Sequence, residues 1–386
     1  MAFRKFVLVL LLISAFENGG CSPQQKSQSE HPKTNSLAVT DLAGREVIIP
    51  QPVERIVLMR SLCLYELATV LGDETGSRLV GWDSSLKTGD RDAYDKFVER
   101  FPELAQVTEL GDVLKDAVSA EAVLGLKPDL VIMNTYMRQR KSIGVERLEA
   151  AGVPILYLEF DDPFRDPQRS IRLLGKVLGR QQRADEAADW VDAQLDEVLG
   201  HEFPEDKPSI YMEAGTYGAS QYGNTFGRTQ QGAVSNWASV LDQLPCRNVA
   251  DGAVSGMYGL GVIRPEYLLT SDPEIVVVTG AHWTSFPDSL RLGYLAEEKP
   301  AQAALQAYSN REGWSELNAV KHRKVYGLHT RFGSHITSFA AAQQLAKWID
   351  PEKFAHLNPL DSLREFHEEF LPIEFSGTWI VQSNDE

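Results

Sequence analysis

The sequence predicts an α/β protein of two lobes, each built on a helix-flanked, mostly parallel sheet, with one long rigid helix joining them. Three observations predict it. The chain repeats itself: Glu121 opens Glu-Ala-Val-Leu-Gly-Leu-Lys-Pro-Asp-Leu-Val-Ile, and Glu266 opens Glu-Tyr-Leu-Leu-Thr-Ser-Asp-Pro-Glu-Ile-Val-Val-Val, roughly 145 residues apart. In each copy a glutamate starts a short helix, Pro128 or Pro273 ends it, and an apolar run follows that reads as a strand covered on both faces. The length of 386 residues exceeds one ordinary core and suits two units. Between the copies, Gln168 to Gly200 carries no proline and places Ile171, Leu174, Val177, Leu178, Ala184, Ala187, Ala188, Val191, Leu195 and Val198 at helical spacing.

The elements follow in chain order. Arg4 and Lys5 precede the apolar run Phe6 to Ile13, too short to span a bilayer, so residues 1–20 are expected to be an export signal. Cys21 follows Gly19-Gly20 and resembles the cleavage site of bacterial lipoproteins, which makes it the expected lipidation site and residues 21–36 a polar tether. The first lobe is expected over 37–165. It begins with a hairpin turning at Ala43-Gly44 and a first core strand at Arg55 to Met59. Leu64 to Leu71 is a helix stopped by Gly72, with further strands at Leu79 to Trp82, Val131 to Met133 and Ile155 to Phe160. Residues 166–200 are read as the linking helix, a rod of about 45 Å. The second lobe, 201–386, holds strands at Ser209 to Glu213, Ile275 to Val278 and Lys324 to Leu328, a helix at Phe339 to Ile349, and a helical tail. Cys63 and Cys246 fall in different lobes and are expected to be separate thiols.

With 54 acidic against 38 basic residues and a net charge of −16, the surface is not one for nucleic acid. A hydrophobic content of 43% supports real cores. An exported metal-dependent hydrolase would need a nucleophile or metal constellation, and neither Gly-x-Ser-x-Gly nor His-Glu-x-x-His is present.

Several segments together resemble a known family. The opening Asp-Leu-Ala-Gly-Arg-Glu-Val with Pro-Val-Glu-Arg-Ile-Val, the Leu-Lys-Pro-Asp-Leu-Val-Ile element, Leu-Glu-Ala-Ala-Gly-Val-Pro-Ile, the mid-chain helix and Asn318 to Tyr326 occur in the order found in class III periplasmic binding proteins. These are the substrate-binding proteins of ABC importers that collect ferric siderophores, haem or cobalamin. The resemblance covers Val39 to Phe375 and implies a non-enzymatic, monomeric receptor in the periplasm or on the outer face of the cytoplasmic membrane, held there by a lipid anchor. Its implied partners are a ferric siderophore or related iron chelate and an ABC permease with its ATPase. It also implies that Glu121 and Glu266, one per lobe, dock onto the permease, where the alternative is a simple preference for the first helical turn.

The ligand is expected where loops leave the carboxyl ends of the strands, between the lobes. Those loops carry Arg60, Arg138, Arg140 and Arg331 beside Trp82, Tyr136, Tyr217, Tyr222 and Trp283, with His282 among them. Guanidinium forks suit carboxylate or catecholate oxygens and aromatic faces suit the flat parts of a chelate, so a negatively charged ferric complex is the expected guest. His282, His329 and His335 are candidate direct iron ligands by residue type, but lone loop histidines are more often hydrogen-bonding residues. Iron is therefore expected to travel as part of the ligand, with no protein metal site and no cofactor. Haem or cobalamin is the alternative guest, with Tyr217, Tyr222 or His282 as axial candidates for haem.

Overall fold

Apolar runs buried on both faces make the strands, and polar-faced helices cover them. The computed structural model describes residues 35–111, 119–139, 143–201 and 207–383. The export signal, Cys21, Arg140 and nearly all of the tether lie outside the described residues. A hairpin of β1 (Ser36–Thr40) and β2 (Glu46–Pro50) leads in, so the tether expected to reach 36 gives way to a strand at that residue. Asp41 shapes its turn by accepting the Ala43 and Arg45 amides at 3.0 and 2.9 Å, and Gly44 supplies the positive φ of 75°.

The first lobe holds β3 (Ile56–Leu58), β4 (Leu79–Trp82), β5 (Thr108–Glu109), β6 (Leu130–Asn134) and β7 (Ile155–Leu158), ordered β5-β4-β3-β6-β7 and all parallel. Parallel neighbours require crossovers, supplied by the helices Leu64–Leu71, Arg91–Arg100, Ala120–Gly125 and Ile143–Ala150. The second lobe is built on β8 (Ser209–Ala214), β9 (Thr225–Phe226), β10 (Arg247–Asn248), β11 (Leu260–Gly261), β12 (Ile275–Gly280), β13 (Val325–His329) and β14 (Ile380–Gln382). Its path is β11-β9-β8-β12-β13-β14 with β10 on β8. Strands β8, β10, β12 and β13 are parallel, and β9, β11 and β14 pair antiparallel around them. The repeated apolar runs are β6 and β12, interior in both sheets.

The linking segment departs from the expected rod. It is two helices, Asp166–Leu178 and Gln181–Leu199, because Gly179 ends the first in the left-handed conformation at φ 68° and its amide closes onto the Gly175 carbonyl. The two helices fold back on each other. A β-carbon placed on Gly175 would lie 2.3 Å from that of Ala184, and Arg172 reaches Asp189 and Asp192 at 2.7 and 2.9 Å. The first helix packs on Leu64–Leu71 and the second on Phe339–Ile349. Trp190 sits among Phe339, Phe366 and Phe370, with ring centroids 5.1, 5.5 and 6.2 Å away. One apolar core therefore runs from the first lobe through this spine into the closing helices Phe339–Ile349 and Pro359–Phe370.

Candidate ligand-binding cleft

The strands of the first lobe point their carboxyl ends at the second, and the two lobes meet in two different ways. On the β4 side they are shut. Asp92, wholly buried, accepts from Arg291 at 2.7 and 3.2 Å and from the Leu295 amide at 3.2 Å, and lies 2.7 Å from His282 Nδ1. Backbone bonds from Arg91 to the His282 carbonyl and from Thr284 to the Thr88 carbonyl seal this edge. Beside it Glu66 accepts from the Ile336 amide at 3.0 Å and faces His335 Nδ1 at 3.1 Å. Asp90 completes the set: burial drives its carboxyl up to about 7, against the pull of Arg331. His329 and His335 are both held neutral by the same loss of solvent, which lowers their pKa.

On the side of β3, β6 and β7 the lobes leave a gap between them, bounded past β7 by Gln243 donating to Asp162 at 3.0 Å. They enclose a cleft of about 530 Å³ between Arg60, Asn134, Tyr136, Phe160 and Asp161 of the first lobe and Ser235, Asn236, Ser239, Tyr258 and Ser334 of the second. That volume suits a small molecule. Arg60 follows β3 and its guanidinium makes no hydrogen bond or ion pair among the described residues, while Arg331 behind it adds positive charge. Tyr136 meets Tyr258 edge to face across the opening, with centroids 4.9 Å apart. Tyr258 is held at φ 62°, a left-handed backbone that costs a non-glycine residue on the order of 1 kcal/mol.

A two-lobed α/β frame with a cleft at the strand ends matches known proteins. Residues 79–332 match the family model described as Periplasmic binding protein. The chain belongs to the periplasmic binding protein family. A solved structure of the TroA-like periplasmic binding protein FepB from Veillonella parvula is similar, with a TM-score of 0.82 and 30% identity over 90% of this chain and 99% of that one. The uncharacterized ABC transporter substrate-binding lipoprotein YvrC of Bacillus subtilis is 24% identical over 92% of this chain and 99% of its own length. The molybdate-binding protein MolA of Haemophilus influenzae is 21% identical over 86% of this chain and 90% of its own. As a periplasmic binding protein the chain is an extracytoplasmic solute receptor that serves an ABC permease, and not an enzyme. Among the described residues no helix is long and apolar enough to cross a membrane.

In this periplasmic binding protein the residues expected at the ligand separate into groups. Arg60 and Tyr136 line the cleft. Trp82 does not: as the last residue of β4 it turns into the core, 4% exposed and packed on Tyr94. Arg138 is exposed and aims at the Ala43 carbonyl. Tyr217 packs on Phe286 outside the cleft lining. Tyr222 belongs to the second lobe's interior, where its hydroxyl accepts from Trp314 Nε1 at 2.9 Å and Arg311 lies over its ring. His282 is taken by Asp92 in the shut seam, with Trp283 half-buried next to it, and Arg331 donates to the Gly89 carbonyl at 3.3 Å beneath Arg60. His329 and His335, weighed as iron ligands, are buried in the same seam. The rule that places ligands at strand ends leads to the face that carries the cleft. It could not say which half of that face stays open.

Asp161, Ser235, Ser239 and Tyr258 line the cleft without having been singled out. Asp161 follows β7 just as Arg60 follows β3, so the same strand-end rule applied to β7 would have found it. Tyr258 lies on an irregular segment with no periodic signal.

Glu121 and Glu266 each stand in the first turn of a short helix, Ala120–Gly125 and Pro265–Ser271, and both are exposed. Each helix feeds the next strand through a tight connection and so runs against it, which puts its first turn at the end of the sheet where the cleft opens. Ser119 caps the first helix by accepting from the Ala122 amide, and its hydroxyl donates to Glu121, which also faces Arg147 at 3.2 Å. These neighbours hold the Glu121 carboxyl below its usual range, the backbone amide contributing most.

Proposed function

We propose that the protein captures a ferric siderophore or a related iron chelate in the cleft between its lobes and hands it to an ABC permease. The observation that carries this reading is an unpaired guanidinium, Arg60, set beside Tyr136 and Phe160 and opposite Tyr258 in a cleft of about 530 Å³. Fixed donors and aromatic faces suit the oxygen-rich, partly flat surface of a metal chelate. Iron enters and leaves with the chelator, which is consistent with His282 and His335 facing carboxylates in the shut seam and His329 being buried there. Haem is less well served, because Tyr222 and His282 are engaged and Tyr217 stands outside the cleft.

In this reading Glu121 and Glu266 orient the loaded receptor on basic permease residues, and Cys21 carries the lipid that keeps it at the membrane. The shut seam along β4 acts as the fixed edge about which the open side closes on the ligand. The test is a tryptophan-fluorescence titration against ferric complexes, haem and molybdate, with iron-free chelators as controls. Saturable quenching by a ferric complex and none by its iron-free form is the expected result. Quenching by haem or molybdate alone would assign a different solute.

A further inference from the structure

Three neighbouring strands end in a row of unpartnered polar groups. The sheet order β3-β6-β7 places Arg60, Asn134 and Asp161 side by side on the floor of the cleft. With strands about 4.8 Å apart, the row spans roughly 10 Å. Arg60 and Asp161 make no hydrogen bond or ion pair among the described residues; burial and then the Asp166 charge raise the Asp161 pKa, and Arg60 is near enough to oppose them. Asn134 is 7% exposed, and its side-chain oxygen is buried without a donor. A buried acceptor left in that state costs free energy that a ligand donor would recover. The facing wall from the second lobe, with Ser235, Ser239 and Tyr258, adds hydroxyls but no charge. The floor thus runs from cation through amide acceptor to anion, and among the described residues the charges of the lining, Arg60 and Asp161, cancel.

We infer that the cleft selects a ligand of zero or low net charge with its own dipole: anionic oxygens toward Arg60, an N–H donor on Asn134, and a cationic or donor group toward Asp161. This rests on the reading of the cleft as the iron-chelate site and narrows it. A ferric tris-hydroxamate has a neutral metal core, and a linear one with a free terminal amine adds an ammonium at one end. A ferric tris-catecholate carries three negative charges, which one arginine would attract and Asp161 would repel. Asp161 is therefore the specificity-determining residue; of the loop arginines among the described residues, Arg60 lines the cleft while Arg138 and Arg331 turn to backbone carbonyls elsewhere.

Calorimetric titration tests this on the intact protein and on Asp161→Asn, an exposed position whose fold is checked by thermal melting. The probes are a linear ferric tris-hydroxamate with a free amine, the same complex with that amine acetylated, a ferric tris-catecholate, and molybdate. The wild type is expected to bind the amine form about tenfold more tightly than the acetylated form, and the catecholate more weakly than either. Asp161→Asn is expected to erase the first difference and narrow the second. Tighter binding of the catecholate, or an unchanged preference in Asp161→Asn, would overturn the charge selection while leaving iron-chelate capture in place. Binding of molybdate alone, or of no probe, would count against both.

Discussion

Nδ1 of His335 lies 3.1 Å from Oε1 of Glu66, one residue from each lobe, and both are buried. The same carboxylate accepts from the Ile336 amide at 3.0 Å, so one side chain of the first lobe satisfies two donors of the second. Glu66→Leu removes both acceptors from a solvent-free contact. We expect a loss of about 3 kcal/mol, read from urea unfolding. A loss below the measurement error would mean that the lobes do not depend on this seam.

His367 gives the fold an acid limit. Its Nδ1 donates to the Leu363 carbonyl at 2.6 Å and its Nε2 accepts from Tyr294 at 2.7 Å, an arrangement only the neutral ring can make. Burial lowers its pKa to about 4. The unfolded chain, at the ordinary value of about 6.5, takes up the proton first, so this contribution is complete above pH 6.5 and fades as pH falls toward 4. At pH 5 the loss is about 2 kcal/mol. His367→Gln should be less stable at neutral pH yet show a correspondingly flatter decline between pH 6.5 and 5. An identical decline in wild type and variant would remove His367 as the cause.

Close approach at the spine sets a third expectation. A methyl group on Gly175 would meet the β-carbon of Ala184 at 2.3 Å and the Arg180 carbonyl at 3.1 Å. Gly175→Ala should cost about 2 kcal/mol by thermal unfolding, with part of that restored by Ala184→Gly in the same chain. Additive effects of the two changes would show that the helices are not packed at that point.

Docking can be separated from capture. With Glu121 and Glu266 both changed to lysine, solute affinity should stay within about twofold, since neither residue lines the cleft, while solute-dependent stimulation of the reconstituted permease and ATPase should fall at least about tenfold. Full stimulation by the double variant would place the contact elsewhere.

Much of the frame was legible because local signals and tertiary structure agree. Gly72 ends the Leu64–Leu71 helix as its position predicts, and the β6 and β12 runs lie inside their sheets. The spine was misread for a physical reason: two amphipathic helices with apolar faces turned to the same core keep one stripe, so periodicity runs straight across Gly179. Only the αL preference of that glycine marks the break. At the cleft, Arg60 and Tyr136 follow from their strand ends, but Trp82, His282 and Arg331 satisfy the same rule: Trp82 turns into the first lobe's core, and the other two close the lobes. Asp90 and Asp92 carry no periodic signal, and their role as buried anchors exists only once Arg291, His282 and Arg331 are brought to them from the other lobe.

The central claim is that Arg60 sits in the solute site, and calorimetry of the wild type and Arg60→Gln with a ferric tris-hydroxamate tests it most directly. The account predicts saturable binding of one complex per chain, weakened about tenfold when the charged donor is lost. Equal affinity in both proteins would contradict it.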